Sequence, residues 1–235
     1  MKKIKLSVVI LTYNSEKYIE KALQSCNFAD EILVLDSGSI DNTLAIAQKY
    51  KANIYKQKWL GFGPQKQYAV NLTRNDWVFV LDSDEYITNE LKDEIIKTLQ
   101  NPKFNGYFVP RLNYFFGKPV KRCGLYPDKT IRLFNKNYGK FTEDIVHEKV
   151  IINGKVGILK NHIIHFAYEN IEEFIYKQNI YSSLKKKPNK LKALINPMWT
   201  FFKMYILRLG FLEGWEGFII SKLYSQYTFW KYIKE

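Results

Sequence analysis

The 235-residue chain is 46% hydrophobic and 25% charged, which excludes a disordered polypeptide and leaves room for a sizeable core. Its 36 Lys and Arg outnumber 23 Asp and Glu, and the net charge of +13 points to an anionic partner such as a nucleotide, a nucleic acid or a lipid surface. Cys26 and Cys123 are the only cysteines and lack metal-ligand spacing, so they exclude a disulfide-dense secreted scaffold and fit a reducing cytosol.

The opening "MKKIKLSVVILTYN" has the basic start and apolar run of a signal peptide. The run is short and β-branched and no small-residue cleavage site follows, so it is read as a first strand. "KLSVVILTY", "EILVLDS" and "WVFVLDSD" are continuous apolar runs, the pattern of strands buried on both faces of a parallel sheet. Amphipathic segments separate them: "NSEKYIEKALQS", which Asn14 or Ser15 can cap, "DNTLAIAQKY" behind Asp41, and "TNELKDEIIKTLQ" behind Thr88. The alternation predicts βαβ units, whose ligands bind outside the carboxyl ends of the strands. Each run ends there in polar residues: Thr12, Tyr13 and Asn14; Asp36; and Asp82 and Asp84.

From about residue 106 the pattern changes. "GYFVPRLNYFFG", "KTIRLFN", "IVHEKVII" and "KNHIIHFAY" predict shorter strands in a mixed or antiparallel portion, and an amphipathic helix is expected from Ile171. "SLKKKPNKLKAL" then reads as a basic linker. In "NPMWTFFKMYILRLG", Asn196 is the expected cap, Pro197 the first helical position and Gly210 the stop. Lys203 and Arg208 interrupt this segment, which is too short and too charged to span a bilayer. Residues 185–235 hold ten Lys or Arg and three Glu, more than half of the excess charge. A basic, aromatic helix there suits either an anionic membrane surface or packing on the rest of the protein.

Three carboxylates, Asp82, Asp84 and Glu85, fall within four positions of a basic chain. Two carboxylates about 4 Å apart repel by roughly 4 kcal/mol at an effective dielectric of about 20, so a site that gathers them needs a cation. Residues i and i+2 of a strand point to one face, which lets Asp82 and Asp84 converge on a ligand. Oxygen ligands of this kind suit Mg²⁺ or Mn²⁺ completed by water and substrate phosphates. Taken alone, Asp-x-Asp is better explained by solvated carboxylates that open a turn.

Its setting changes that balance. The succession "SVVILTYN", "EILVLDSGSIDNT" and "WVFVLDSDE" resembles the family 2 glycosyltransferases of the GT-A fold, over about residues 4–180 and most nearly in the branch of bacterial lipopolysaccharide and lipooligosaccharide core β-1,4-glucosyltransferases. The resemblance implies an α/β GT-A fold: a Rossmann-like, mostly parallel sheet with a mixed second half. It implies a catalytic domain over 1–180, with the nucleotide-sugar half at 1–100 and the acceptor half at 101–180, to which the basic, aromatic pattern of the chain itself adds a C-terminal helical extension at 181–235.

The implied activity is metal-dependent, inverting transfer of a hexose, glucose as first guess, from a UDP-sugar to a lipid-linked saccharide such as lipopolysaccharide core. The enzyme would be cytoplasmic and peripheral on the inner face of the bacterial membrane, with no nucleic-acid partner. Carried over by residue, Thr12, Tyr13 and Asn14 lie at the nucleoside with Asp36 and Ser37, where family members often have two adjacent aspartates. Asp82 contacts the ribose, and Asp84 holds Mg²⁺ or Mn²⁺ with His165 as a further ligand. Arg132 and Lys66 stabilise the departing diphosphate. The general base comes from "FTEDIVHEKV", as either Asp144 or Glu148, and His147 belongs to the acceptor site. His162 is expected to be structural. Two alternatives are a metal-dependent sugar nucleotidyltransferase, for which no glycine-rich basic loop is found near the N-terminus, and a non-enzymatic basic RNA- or membrane-binding protein.

Overall fold

The computed structural model describes residues 4–143, 148–184 and 187–234. The chain forms two compact units, residues 1–111 with 129–165 and residues 112–128 with 166–235.

In chain order, the first unit opens with β1 (Leu6–Thr12), α1 (Ile19–Ser25), β2 (Glu31–Asp36), α2 (Thr43–Lys49), β3 (Asn53–Lys56), α3 (Phe62–Leu72), β4 (Trp77–Asp82), β5 (Glu85–Ile87) and α4 (Asn89–Gln100). There follow β6 (Gly106–Phe115), β7 (Lys118–Val120), β8 (Asp128–Asn135), β9 (Gly139–Phe141), β10 (Val150–Ile152), β11 (Val156–Ile158) and β12 (Ile163–Tyr168). The helices α5 (Ile171–Leu184), α6 (Lys190–Phe202) and α7 (Gly214–Ile233) complete the chain, with a π-helical turn at Lys203–Leu207 and a 3₁₀ turn at Gly210–Glu213. This is the α/β architecture expected of the sequence, with a mostly parallel first half and a helical C-terminus.

β1 pairs in parallel with both β2 and β4, and β2 pairs in parallel with β3. Every residue of β1 is buried, and successive side chains enter opposite cores as the two-residue period requires. Val8 and Ile10 join Phe79 and Leu81 beneath α1 and α4, where Ile19, Leu23, Leu91 and Ile95 close one core. Val9 and Leu11 join Leu33, Leu35, Val78 and Val80 in the other, closed by Ala69 and Val70 of α3. The sheet order β3-β2-β1-β4-β8-β6-β12-β5 turns mixed past β4, because β8 runs antiparallel to it and β5 antiparallel to β12. Thr12, Asp36 and Asp82, the last residues of β1, β2 and β4, therefore share one edge.

Several helix starts differ from the sequence expectation. α1 begins at Ile19, and the Ser15 carbonyl, not an Asn14 or Ser15 side chain, takes the Tyr18 and Ile19 N–H groups. Asp41 lies one residue before the formal cap of α2, yet its Oδ1 accepts the Thr43 N–H at 3.0 Å. Thr88 caps α4 as expected, its hydroxyl accepting from the Leu91 N–H at 3.2 Å. Asn196 and Pro197 do not open a helix. α6 begins at Lys190, its cap is Asn189, and Pro197 lies inside it. The missing Pro197 N–H leaves the Ala193 carbonyl without its helical donor.

The second unit packs Phe115, Val120, Cys123, Ala167, Phe174, Met204 and Ile220 into its own core. Against this, α6 and α7 are stitched by Ser225 Oγ, which donates to the Pro197 carbonyl at 2.8 Å. Gly217 sits inside α7, where glycine costs about 1 kcal/mol relative to alanine, and its position has a steric reason: a Cβ there would collide with the Gly210 carbonyl. Gly217→Ala should therefore lower stability by about 1–3 kcal/mol in urea unfolding despite its better helix propensity. A stabilised variant would refute the close approach.

Candidate active site

The tips of the parallel strands carry a built polar surface. Thr12 is buried at the end of β1, and its Oγ1 is the one buried side-chain oxygen or nitrogen among the described residues without a hydrogen-bond partner. Beside it, in register, the Asp36 carboxylate accepts the Gly38 and Ser39 N–H groups and the Ser39 hydroxyl, so it is committed to shaping the turn after β2. Gly38 has φ +111, a conformation that favours glycine there. Ser37 Oγ accepts from the Gln65 amide at 3.1 Å. Tyr13 is exposed, while Asn14, at φ +47, accepts the Ile40 N–H through Oδ1 and so ties the turn after β1 to that after β2.

An ion-pair network starts at the end of β4. Arg132 of β8 is 5% exposed and its guanidinium reaches Asp82 Oδ2 at 3.2 Å, Glu85 Oε1 at 2.7 Å and the Val80 carbonyl at 3.2 Å. Glu85 is buried, pairs also with Arg111 at 3.3 Å, and accepts the Asp82 N–H through its second oxygen. On the other side of Asp82, Lys66 of α3 reaches Oδ1 at 3.2 Å and Glu148 Oε1 at 2.8 Å. Burial works to raise the Asp82 carboxyl, but Lys66, Arg132 and Arg111 outweigh it and hold the group well below the usual carboxylate range. Burial likewise works to lower Lys66, yet Asp82 and Glu148 carry it above its ordinary value and keep it cationic.

The network faces a cleft of about 550 Å³, lined by five cations, Lys66, Arg111, Lys129, Arg132 and Lys149, against two carboxylates, Asp82 and Glu148. The surplus of positive charge, with one edge of Asp82 left open to solvent, equips the cleft for an anion such as a diphosphate.

Asp84 lies apart from these pairs. β4 ends at Asp82, so Asp84 falls in the following turn and the strand alternation expected to align the two aspartates does not extend to it. Its Oδ2 stands 3.5 Å from Nε2 of His165, which β12 brings alongside β5 through the His165–Glu85 register. Between them, Ser83 turns to hydrogen-bond Ser15 at 2.8 Å. No group of three or more His, Cys, Asp or Glu side chains gathers for a metal among the described residues. The residues present nevertheless fit a divalent cation that takes two protein ligands, Asp84 and His165, and the rest of its shell from phosphate oxygens and water. Asp144 and His147 lie outside the described residues. The His162 backbone carbonyl accepts from the Thr88 hydroxyl.

Two participants escape a reading of the sequence. Glu85 reads there as part of an acidic cluster, whereas it is the buried partner of two arginines distant in the chain. Gln65 is fully buried and joins Ser37 to the Gln57 carbonyl, in a helix whose weak amphipathicity gives no sign of it. Because Arg132 balances a buried carboxylate, Arg132→Leu should cost about 3–5 kcal/mol of stability in urea unfolding at neutral pH. A loss below about 1 kcal/mol would show that Arg111 and solvent suffice to hold Glu85.

Residues 7–152 match the model of the glycosyl transferase family 2. An uncharacterized glycosyltransferase of Rickettsia bellii is 32% identical over 94% of this chain and 82% of its own length. LpsC of Rhizobium meliloti, a lipopolysaccharide core biosynthesis glycosyltransferase, is 28% identical over 97% of this chain and 90% of its own. Among solved structures, Staphylococcus aureus TarS 1–349 in complex with UDP-GlcNAc matches with a TM-score of 0.51 at 18% identity, covering 93% of this chain and 79% of that one. The strand-end site thus stands in a glycosyltransferase fold, and the chain belongs to glycosyl transferase family 2.

Proposed function

We propose that the protein is an inverting hexosyltransferase that moves a sugar, glucose as the leading candidate, from a UDP-sugar to a lipid-linked saccharide such as lipopolysaccharide core at the cytoplasmic face of a bacterial membrane. Family membership sets aside the nucleotidyltransferase and the non-enzymatic scaffold. The observation that carries the reading is the cation-rich cleft around Asp82, with Asp84 and His165 beside it. The UDP-GlcNAc complex of TarS and the lipopolysaccharide role in the name of LpsC support the donor and acceptor classes.

In this reading the nucleoside lies along the tips of β1 and β2, where Thr12 Oγ1 supplies a polar atom still to be satisfied and Tyr13, Asn14, Asp36 and Ser37 form the surround. Asp82 reaches the ribose from its place between Lys66 and Arg132. Asp84 and His165 hold Mg²⁺ or Mn²⁺, which when bound supplies charge that stabilises the diphosphate as it departs. Lys66 and Arg132 add fixed positive charge in the cleft. An acceptor hydroxyl attacks the anomeric carbon from the opposite face, the bond to the diphosphate oxygen breaks with its electron pair, and a carboxylate takes the hydroxyl proton. Glu148 Oε1 is already engaged by Lys66 at 2.8 Å, so Asp144 is the preferred base, with His147 at the acceptor.

Asp84→Ala should leave the thermal transition in place while sugar transfer falls by about a hundredfold or more. Asp144→Asn should lower kcat by about 10²–10⁴-fold and spare UDP binding. Proton NMR of the product from an α-linked donor should show a β linkage. Undiminished transfer by Asp84→Ala, or an α-linked product, would overturn the assignment.

A further inference from the structure

α6 is amphipathic in the wrong sense for a helix that serves only to fill a core. Leu191, Leu194, Ile195, Met198, Trp199 and Phe202 recur at i, i+3, i+4, i+7, i+8 and i+11, the spacing of a single helical stripe, and all six are exposed. Leu194 is 68%, Met198 74% and Trp199 53% exposed. The face turned inward carries Ala193, Met204 beyond the helix end, and the Pro197 and Thr200 positions that bond to α7. The apolar surface continues through Ile206, Leu207, Phe211, Leu212 and Trp215, which are exposed as well. At about half exposure, large side chains leave roughly 100 Å² each. Such a row exceeds the roughly 300–600 Å² of the largest apolar patch on an ordinary monomer.

Charge selects the occupant. Between Lys187 and Leu212 there is no Asp or Glu, and the one carboxylate farther along the stripe, Glu213, is half-buried and accepts the Lys121 N–H, while Lys187, Lys190, Lys192, Lys203 and Arg208 are all exposed. In an isologous dimer the same patch meets itself, so these cations would confront one another. An anionic surface with an apolar interior satisfies both features at once, and the two exposed tryptophans suit the headgroup level. None of the helices among the described residues is long and apolar enough to cross a bilayer, whereas α6, about 20 Å long, can lie in the interface plane.

We propose that the exposed stripe of α6, extended through residues 206–215, is a docking surface for an anionic lipid bilayer, entering the headgroup region with Leu194, Met198 and Trp199 while the lysines meet lipid phosphates. The inference rests on the reading above only for which membrane is met.

The test is cosedimentation of the full chain with phosphatidylcholine vesicles, with and without phosphatidylglycerol, alongside calorimetric UDP binding. The wild type should pellet with the anionic vesicles and far less with the neutral ones. The combined variant Leu194→Glu, Met198→Glu, Trp199→Glu, at positions that fill no core, should keep its thermal transition and bind anionic vesicles about tenfold less or weaker still. Lys190→Glu, Lys192→Glu, Lys203→Glu should abolish the preference for anionic lipid. Failure of the wild type to bind anionic vesicles, undiminished binding by the apolar variant, or a dimer that the apolar variant splits in place of vesicle binding would each overturn the proposal. Vesicle binding needs no nucleotide, so a chain that pellets with lipid yet ignores UDP would keep this surface and sink the donor-site reading.

Discussion

Arg132 is the residue on which the site depends. A guanidinium buried under the end of β4 is costly unless its hydrogen bonds are met, and here the Val80 carbonyl, Asp82 and Glu85 meet them together. The same contacts fix the backbone where the parallel sheet ends and the turn to β5 begins. Asp82 is in turn pinned between Arg132 and Lys66, which orients its carboxylate. The arrangement leaves net positive charge facing the cleft and negative charge buried behind it, which is the polarity that a diphosphate donor requires.

The parallel geometry explains why the site is there at all. β1, β2 and β4 run the same way, so their carboxyl ends deliver Thr12, Asp36 and Asp82 to one edge, where backbone is free to turn toward a ligand. Asp36 shapes the turn after β2, Asn14 ties the turn after β1 to it, and Gln65 reaches across to Ser37. The surface that would meet the nucleoside is thus built before any ligand arrives, which lowers the ordering cost of binding.

Much of this is legible in the sequence because burial on both faces leaves a mark. β1, β2 and β4 are continuous apolar runs with polar ends, and they were readable for that reason. α3 was not. "FGPQKQYAVNL" lacks a clear apolar stripe, since Gln65 and Lys66 occupy inward positions that only distant partners can satisfy. Glu85 misled for the same cause: its neighbours in the chain are acidic, but its partners, Arg111 and Arg132, lie 26 and 47 residues away. Pro197 reads as a helix start by local preference, whereas the preceding Asn189 offers a cap that lets α6 begin earlier and carry the proline inside. Local rules therefore found the strands and the carboxylates, and missed the cations that give those carboxylates their meaning.

A donor site at the strand ends must bind a nucleoside diphosphate with help from a divalent cation. Calorimetric titration of the purified chain with UDP, with and without Mn²⁺, tests it most directly when the same titrations are run on Lys66→Ala. UDP should bind saturably, more tightly with Mn²⁺, and Lys66→Ala should weaken the binding at both metal conditions. No heat with UDP or any other nucleoside diphosphate, whether or not Mn²⁺ is present, would contradict it.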